Sequence, residues 1–330
     1  MFSSIARGIA PLIGASVAFR HMPSSACAAS CSTITSTSTE THAKLGLCQI
    51  RVVSDKDSNI ARARSAISEA KGKGAQIVVL PEIWNGPYNT TSFPIYAETL
   101  PKVGGKPDVK LSPSASMLCE EAKKQNVWLV GGSISEKETH STNGSEQIYN
   151  TSLVVDNNGN IVGKHRKVHL FDIDIPGKIK FKESDSLTPG SDVTVFDSPW
   201  GKIGVGICYD LRFPEFATIM RQKGCKLLIY PGAFNMTTGP LHWQLLQRAR
   251  AVDNQVYVVT CSPARHKSSG YVAFGHSHVI TPMGEVIGDA GEGDNVIVVD
   301  IDMEQVESMR QGIPCWTQKR PDLYDTIAKK

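Results

Sequence analysis

The sequence predicts an α/β protein in which helices cover sheet faces in layers, and three observations carry that expectation. Short apolar runs suited to buried strands, Ile77-Val78-Val79-Leu80 and Lys226 to Tyr230, are stopped by Pro81 and by Pro231-Gly232. Stretches of helical period fall between such runs. No linker and no repeat of solenoid length divides the region after Lys44, so the layers belong to one domain, residues 44 to 330.

In chain order, a strand is expected near Leu45 to Val52, followed by a helix from about Asp57 to Lys71 with Ile60, Ala63 and Ile67 facing inward. The strand ending at Leu80 comes next. A second helix turns Ala115, Leu118 and Ala122 inward and leads to Val127-Trp128-Leu129-Val130-Gly131-Gly132, too apolar for a sheet edge. Strands at Ile148 to Val155 and Ile161 to Val168 flank Asp156-Asn157-Asn158-Gly159-Asn160, a run of turn residues that predicts antiparallel pairing. Phe171 to Gly190 reads as a long loop. Ile203, Val205 and Ile207 then alternate with Gly204 and Gly206 as a strand with a close neighbour, and Cys208 ends it. Asp210 and Pro214 stand where helices begin, ahead of Phe216, Ile219 and Met220 on one face. Leu241, Leu245, Leu246, Ala249 and Val252 mark the next helix; Gln255 to Cys261, Tyr271 to Ile280 and Asn295 to Ile301 supply later strands.

Composition excludes several function classes. The 330 residues are 41% hydrophobic with a net charge of +3, enough for a large core and without the basic, aromatic-interleaved stripe of a nucleic-acid binder. No uninterrupted apolar run is long enough to span a bilayer, so no membrane partner is expected. The eight cysteines include no C-x-x-C pair, which argues against a zinc ribbon or a dithiol redox motif and fits a reducing compartment. His276-Ser277-His278 could present two imidazoles on one strand face, but no carboxylate or thiolate is visibly spaced to complete a site; they read as polar partners in a packed fold, and no metal is expected. Gly104-Gly105-Lys106 lacks the spacing of a phosphate loop. Residues 1 to 43 have no acid before Glu40, abundant Ser and Thr, and Phe2, Ile5, Ile9, Leu12 and Ile13 on one helical face opposite Arg7. They resemble a transit peptide for a mitochondrion or chloroplast; an untargeted tail on a cytoplasmic protein and a secretory signal are the alternatives.

Three residues at strand ends carry the chemistry. Cys208 leaves its strand where a helix begins, so the Tyr209 amide can face a ligand beside the thiol. Glu82 follows Pro81 at the end of an apolar strand, and Lys167 sits in Lys164-His165-Arg166-Lys167-Val168-His169-Leu170, where alternate side chains share a face. A thiol beside an ammonium and a carboxylate suits acyl transfer: the ammonium favours thiolate and neutralises an oxyanion, and the carboxylate moves protons.

On Leu80-Pro81-Glu82, His165 to Leu170 and Gly206-Ile207-Cys208-Tyr209-Asp210, the chain from about Lys44 to Tyr324 resembles the carbon–nitrogen hydrolases of the nitrilase superfamily. Phe171 to Ile179, Pro231 to Pro240 and Leu246 to Gln255 are most similar to its omega-amidase branch. The resemblance implies a four-layer αββα sandwich, a homodimer formed across helical faces, and a Glu82–Lys167–Cys208 triad with Glu183 as a second acid near the lysine. It also implies hydrolysis of the terminal amide of 2-oxoglutaramate or 2-oxosuccinamate through a cysteine thioester, without metal or cofactor. A sister amidase acting on deaminated glutathione or an N-carbamoyl compound is the alternative, and a non-catalytic binding scaffold a more distant one. For recognition of a distal carboxylate, Arg212 is a candidate, though it could equally pair with Glu215; Tyr88 and the loop carrying Asn235, Thr237 and Thr238 are expected to shape the pocket.

Overall fold

The computed structural model describes residues 40–139, 144–267 and 270–329; the leader expected over residues 1 to 43 lies almost wholly outside them. The first sheet is built from β1 (His42–Gln49), β2 (Ile77–Val79), β3 (Trp128–Val130), β4 (Ile134–Thr139), β5 (Glu146–Val155) and β6 (Ile161–Arg166). A separate hairpin, β7 (Asp172–Ile175) and β8 (Ile179–Lys182), follows. The second sheet comprises β9 (Thr194–Ser198), β10 (Gly201–Val205), β11 (Leu227–Pro231), β12 (Tyr257–Cys261), β13 (His278–Ile280) and β14 (Val286–Asp289). β15 (Asn295–Asp302) returns to pair antiparallel with β1. The helices are α1 (Lys56–Gly72), α2 (Phe93–Tyr96), α3 (Pro113–Gln125), α4 (Pro214–Gln222), α5 (Gly239–Asn254) and α6 (Glu304–Gly312).

Strand alternation builds the layers. In β2, Ile77 and Val79 join a core shared with Ile203, Val205, Leu227 and Ile229 of the second sheet, whereas Val78 faces the opposite way and packs with Ala63 and Ile67 of α1 and Leu118 of α3. In β11, Leu227 and Ile229 face the first sheet while Leu228 and Tyr230 face Met220 of α4 and Trp243 of α5. The order is therefore helix, sheet, sheet, helix: the expected αββα sandwich. The glycines of β10 and its exit permit that packing. A Cβ on Gly204 would lie 2.6 Å from Met220 Sδ, and one on Gly206 would lie 2.5 Å from the Tyr230 ring.

Several local expectations are corrected. β1 starts at His42, inside the stretch assigned to the leader, and stops at Gln49 rather than Val52. The long loop from Phe171 contains β7 and β8, joined through Gly177 at φ +70°; alternation of Ile173, Ile175, Ile179 and Phe181 around a Pro-Gly turn was the signal for it. Of Tyr271 to Ile280 only the last three residues are strand, because Gly275 (φ +77°) and His276 (φ +55°) break the extended backbone. The strands β4, β9 and β14 and the helix α6 have no counterpart in the sequence reading. On α5 the buried residues include Trp243, Gln247 and Arg250, whereas Leu241, Leu245 and Val252 are exposed. Among the described residues no helix is long and apolar enough to cross a membrane.

Candidate active site

Four strands deliver the candidate residues from their C-terminal ends. Glu82 follows β2, Lys167 follows β6, Glu183 follows β8, and Cys208 lies three residues beyond β10. Glu82, Lys167 and Glu183 are fully buried and Cys208 is nearly so. Two of these positions are backed by left-handed backbone at non-glycine residues: Cys208 itself (φ +46°) and Ile83 (φ +46°), next to Glu82. Such conformations cost about 1–3 kcal/mol each and persist only where the surroundings impose them. Ile83 N–H donates to Ser133 Oγ at 3.0 Å. Beyond Cys208 the chain makes a 3-10 turn, Cys208–Arg212, held by Asp210. One Asp210 oxygen accepts from Ile207 N–H (2.9 Å) and meets His165 Nε2 (3.1 Å); the other accepts from His169 N–H (2.9 Å) and meets His169 Nδ1 (2.7 Å). Burial pushes its pKa up, but the two histidines outweigh burial and hold it below the ordinary carboxylate range.

Lys167 Nζ donates to Glu82 and to Glu183 at 2.9 Å each and more loosely to Tyr88 Oη at 3.4 Å. Glu82 Oε1 also accepts from Asn150 Nδ2 (2.9 Å), and its Oε2 accepts from Ala233 N–H (2.8 Å). Tyr88 donates to Glu183 at 2.6 Å, and Glu183 Oε2 accepts from Phe171 N–H at 2.7 Å. Glu183, legible in sequence as a loop acid, is thus a buried partner of the lysine. Asn150 and Ala233 had no functional signal in the sequence, since neither residue type nor spacing marks a strand amide or a loop N–H as part of a site.

The electrostatics follow from burial and charge count. Lys167 loses by desolvation, but Glu183 and Glu82 more than restore its proton, and its pKa lies above the ordinary lysine value. Glu82 is raised, chiefly by burial; Lys167 opposes this and Glu183 adds to it. The Cys208 thiol is pushed well above its ordinary value by burial and then by Glu82, and Lys167 only partly offsets them. The ammonium favours thiolate as expected, but burial and Glu82 outweigh it at Cys208.

A cavity of about 620 Å³ reaches Glu82 and is lined by Tyr88, Lys180, Phe181, Ala233 and Tyr271 among others. The Tyr88 and Tyr271 ring centroids lie 4.5 Å apart with the planes tilted by 31°, and Tyr271 Oη donates to Ala233 O. Arg212 lies outside this lining. Its guanidinium sits 4.7 Å from the Phe234 ring and 5.5 Å from the Tyr209 ring, with His242 Nδ1 at 3.3 Å; it forms no ion pair with Glu215. Asn235, Thr237 and Thr238 also lie outside the lining. Asn235 Oδ1 accepts from both threonine N–H groups at 2.9 Å, so this side chain builds the turn that starts α5. Tyr209 packs edge-on against Phe171 and Phe213.

Residues 44–311 match the family model described as carbon-nitrogen hydrolase. The chain belongs to that family. It is 50% identical over 287 residues to "Omega-amidase NIT2" of Bos taurus, covering 87% of this chain and 98% of that one. It is likewise 50% identical over 287 residues to "Omega-amidase, chloroplastic" of Arabidopsis thaliana, covering 75% of that protein. Among solved structures it superposes on Saccharomyces cerevisiae Nit3, a member of branch 10 of the nitrilase superfamily, with a TM-score of 0.76 and 43% identity over 86% of this chain and 98% of that chain. The nitrilase-superfamily sandwich and its hydrolase chemistry are therefore those of this carbon–nitrogen hydrolase.

Proposed function

We propose that this hydrolase is an omega-amidase that cleaves the terminal amide of 2-oxoglutaramate and 2-oxosuccinamate, releasing ammonia and the dicarboxylate. The reading is carried by a buried Glu82 held by Lys167 and the Ala233 N–H, close enough to the Cys208 thiol to shift its pKa, in a chain half identical to relatives named omega-amidase. Cys208 Sγ attacks the amide carbon as its proton passes to Glu82, whose raised pKa suits a group that takes a proton and returns it. The oxyanion is met by the loosest Lys167 N–H, the one now turned to Tyr88, and by the Tyr209 N–H, which has no intrahelical acceptor in the first turn after Cys208. Collapse expels ammonia with the proton from Glu82 and leaves a thioester. Glu82 then deprotonates water, hydroxide adds to the thioester carbonyl, and the acid departs as the thiol regains its proton. Glu183 and Tyr88 position Lys167. Arg212, whose guanidinium lies against the Tyr209 and Phe234 rings and pairs with no carboxylate among the described residues, is the cation we assign to the substrate's distal carboxylate.

The same proposal includes a homodimer and a leader. Exposed Leu241, Leu245 and Val252 on α5, with Met283 beside them in exposure, supply an apolar helical face suited to a second copy. The chloroplastic relative supports reading residues 1 to 43 as an organellar address. The test is ammonia release from 2-oxoglutaramate, succinamate, glutamine and deaminated glutathione by the full chain and by Cys208→Ala. Turnover of the first two by the wild type alone supports the reading; turnover of deaminated glutathione alone would sink the substrate assignment and leave the thiol chemistry standing.

A further inference from the structure

The sequence places His276 and His278 two residues apart, and the fold adds the ligand that spacing alone did not reveal. β13 and β14 pair antiparallel with His278 opposite Asp289, so a carboxylate from a strand absent from the sequence reading arrives between the two imidazoles. His276 Nδ1 lies 3.1 Å from both Asp289 oxygens, and His278 Nε2 lies 3.5 Å from Oδ2. One ligand atom from each of the three residues lies within 4.8 Å of the others. We propose that His276, His278 and Asp289 bind a divalent transition-metal ion of the zinc class, at a site separate from the acyl-transfer residues.

The donor set and geometry favour that cation. Two imidazoles and one carboxylate suit zinc, cobalt or nickel, whereas magnesium and calcium prefer oxygen ligands. Tetrahedral bonds of about 2.0–2.2 Å separate neighbouring ligand atoms by about 3.3–3.5 Å. The observed histidine–carboxylate separations bracket that range, and all three ligand atoms lie within 4.8 Å of one another. The frame is already fixed. His276 N–H donates to Gly291 O at 2.6 Å, its carbonyl accepts from Trp243 Nε1 at 2.7 Å, and its backbone is left-handed at φ +55°. Asp289 Oδ1 accepts from Gly291 N–H at 2.8 Å. His278 Nδ1 is buried without a partner among the described residues, so Nε2 is the nitrogen that ring presents. Asp289 and His276 are partly exposed, leaving a coordination position open to water.

The location gives the ion a structural role. The segment ending at His276 forms part of the cavity wall through Tyr271 and Ala273, and Phe274 N–H is tied to Phe234 O at 2.7 Å. Trp243, which bonds His276, also packs over Gly232, where a Cβ would lie 3.2 Å from Cys208 Cα. An ion at the three ligands would anchor this wall at its far end and stabilise the native state by mass action.

The test uses the full chain stripped of metal, with Zn²⁺ titrated by calorimetry, thermal melting with and without Zn²⁺, and Co²⁺ absorption. The expected result is one bound equivalent, a higher Tm with Zn²⁺, and a cobalt spectrum without thiolate charge-transfer bands. Asp289→Ala, at an exposed position that leaves the core intact, and His278→Ala should each weaken Zn²⁺ binding by about tenfold or more and abolish the Tm rise. The proposal is overturned if the wild type binds no Zn²⁺ in large excess, if both variants bind as the wild type does, or if cobalt reports thiolate ligation.

Discussion

Two ion clusters, one partly exposed and one buried, lie on opposite faces of β6 and its exit, and they do opposite things to a carboxylate. Lys164 and Arg166 face Glu136 and Glu138, with contacts from 2.5 to 2.9 Å. Lys167, one residue on and turned to the other side, faces Glu82 and Glu183 at 2.9 Å each. The first cluster matches two cations to two acids and keeps some contact with water. The second gives one cation to two acids, all three with fully buried side chains. Burial raises Glu136, but Arg166 and Lys164 overcome it and its pKa falls; burial raises Glu82, and Lys167 does not overcome it. A balanced cluster makes a fixed charge, whereas a deficit of one cation makes a proton carrier.

The largest expected effect comes from deepening the deficit. Lys167→Met leaves two buried carboxylates without a cation, and removing one partner of a buried pair costs about 3–5 kcal/mol. The loss should be greater at pH 8 than at pH 5, where the two acids can share a proton, and denaturant unfolding at both pH values measures it. A pH-independent loss would break the comparison. Lys167 itself has a raised pKa, so its own contribution is complete below the ordinary lysine value and fades only in strong alkali. Glu82→Gln acts the other way. Losing the general base should lower kcat/KM by about 10²–10⁴-fold. Because the native pKa of Glu82 is raised, wild-type stability declines as pH rises through it, so above that pH the glutamine variant should be at least as stable as the wild type. A variant both inactive and strongly destabilised at pH 8 would mean that Glu82 serves the fold first.

How much of this was legible in the sequence depends on whether local pattern or tertiary pairing decides the feature. The apolar runs ending at Glu82 and Cys208 and the alternation around Lys167 placed three strand ends correctly, because a period of two is a local property. It also separated Lys164 and Arg166 from Lys167. Short or irregular pieces escaped: β9 and β14 hold mixed polar and apolar residues, and their strand character comes from the neighbours they pair with. The missing Asp289 ligand is the same failure in another form, since cross-strand register brings it to His278. The balance at the thiol was illegible for a different reason. Sequence supplies the neighbouring charges of Cys208 but not its burial, and burial is the larger influence.

The balanced cluster offers a smaller test with the opposite pH sign. Glu136 is buried and its native pKa is depressed, so the stability it contributes is present above the ordinary carboxylate value and is lost as pH falls through the native one. Glu136→Gln should cost about 1.5–3 kcal/mol near neutrality, the scale of hydrogen bonds to charged groups, and should flatten the acid limb of the stability profile. Equal acid sensitivity in variant and wild type would show that other carboxylates carry that limb.

The smallest effect is expected inside that same cluster. Glu138 meets Arg166 at 2.9 Å, but its side chain is 38% exposed where Glu136 is 2% exposed. Water and salt screen the outer acid, and Arg166 keeps its two bonds to Glu136 when Glu138 is neutralised. Glu138→Gln should therefore cost less than about 1 kcal/mol, and the cost should shrink further in high salt. If it matched Glu136→Gln, charge number alone would set the energetics of both clusters, and exclusion of water would not be what separates the fixed pair from the proton carrier.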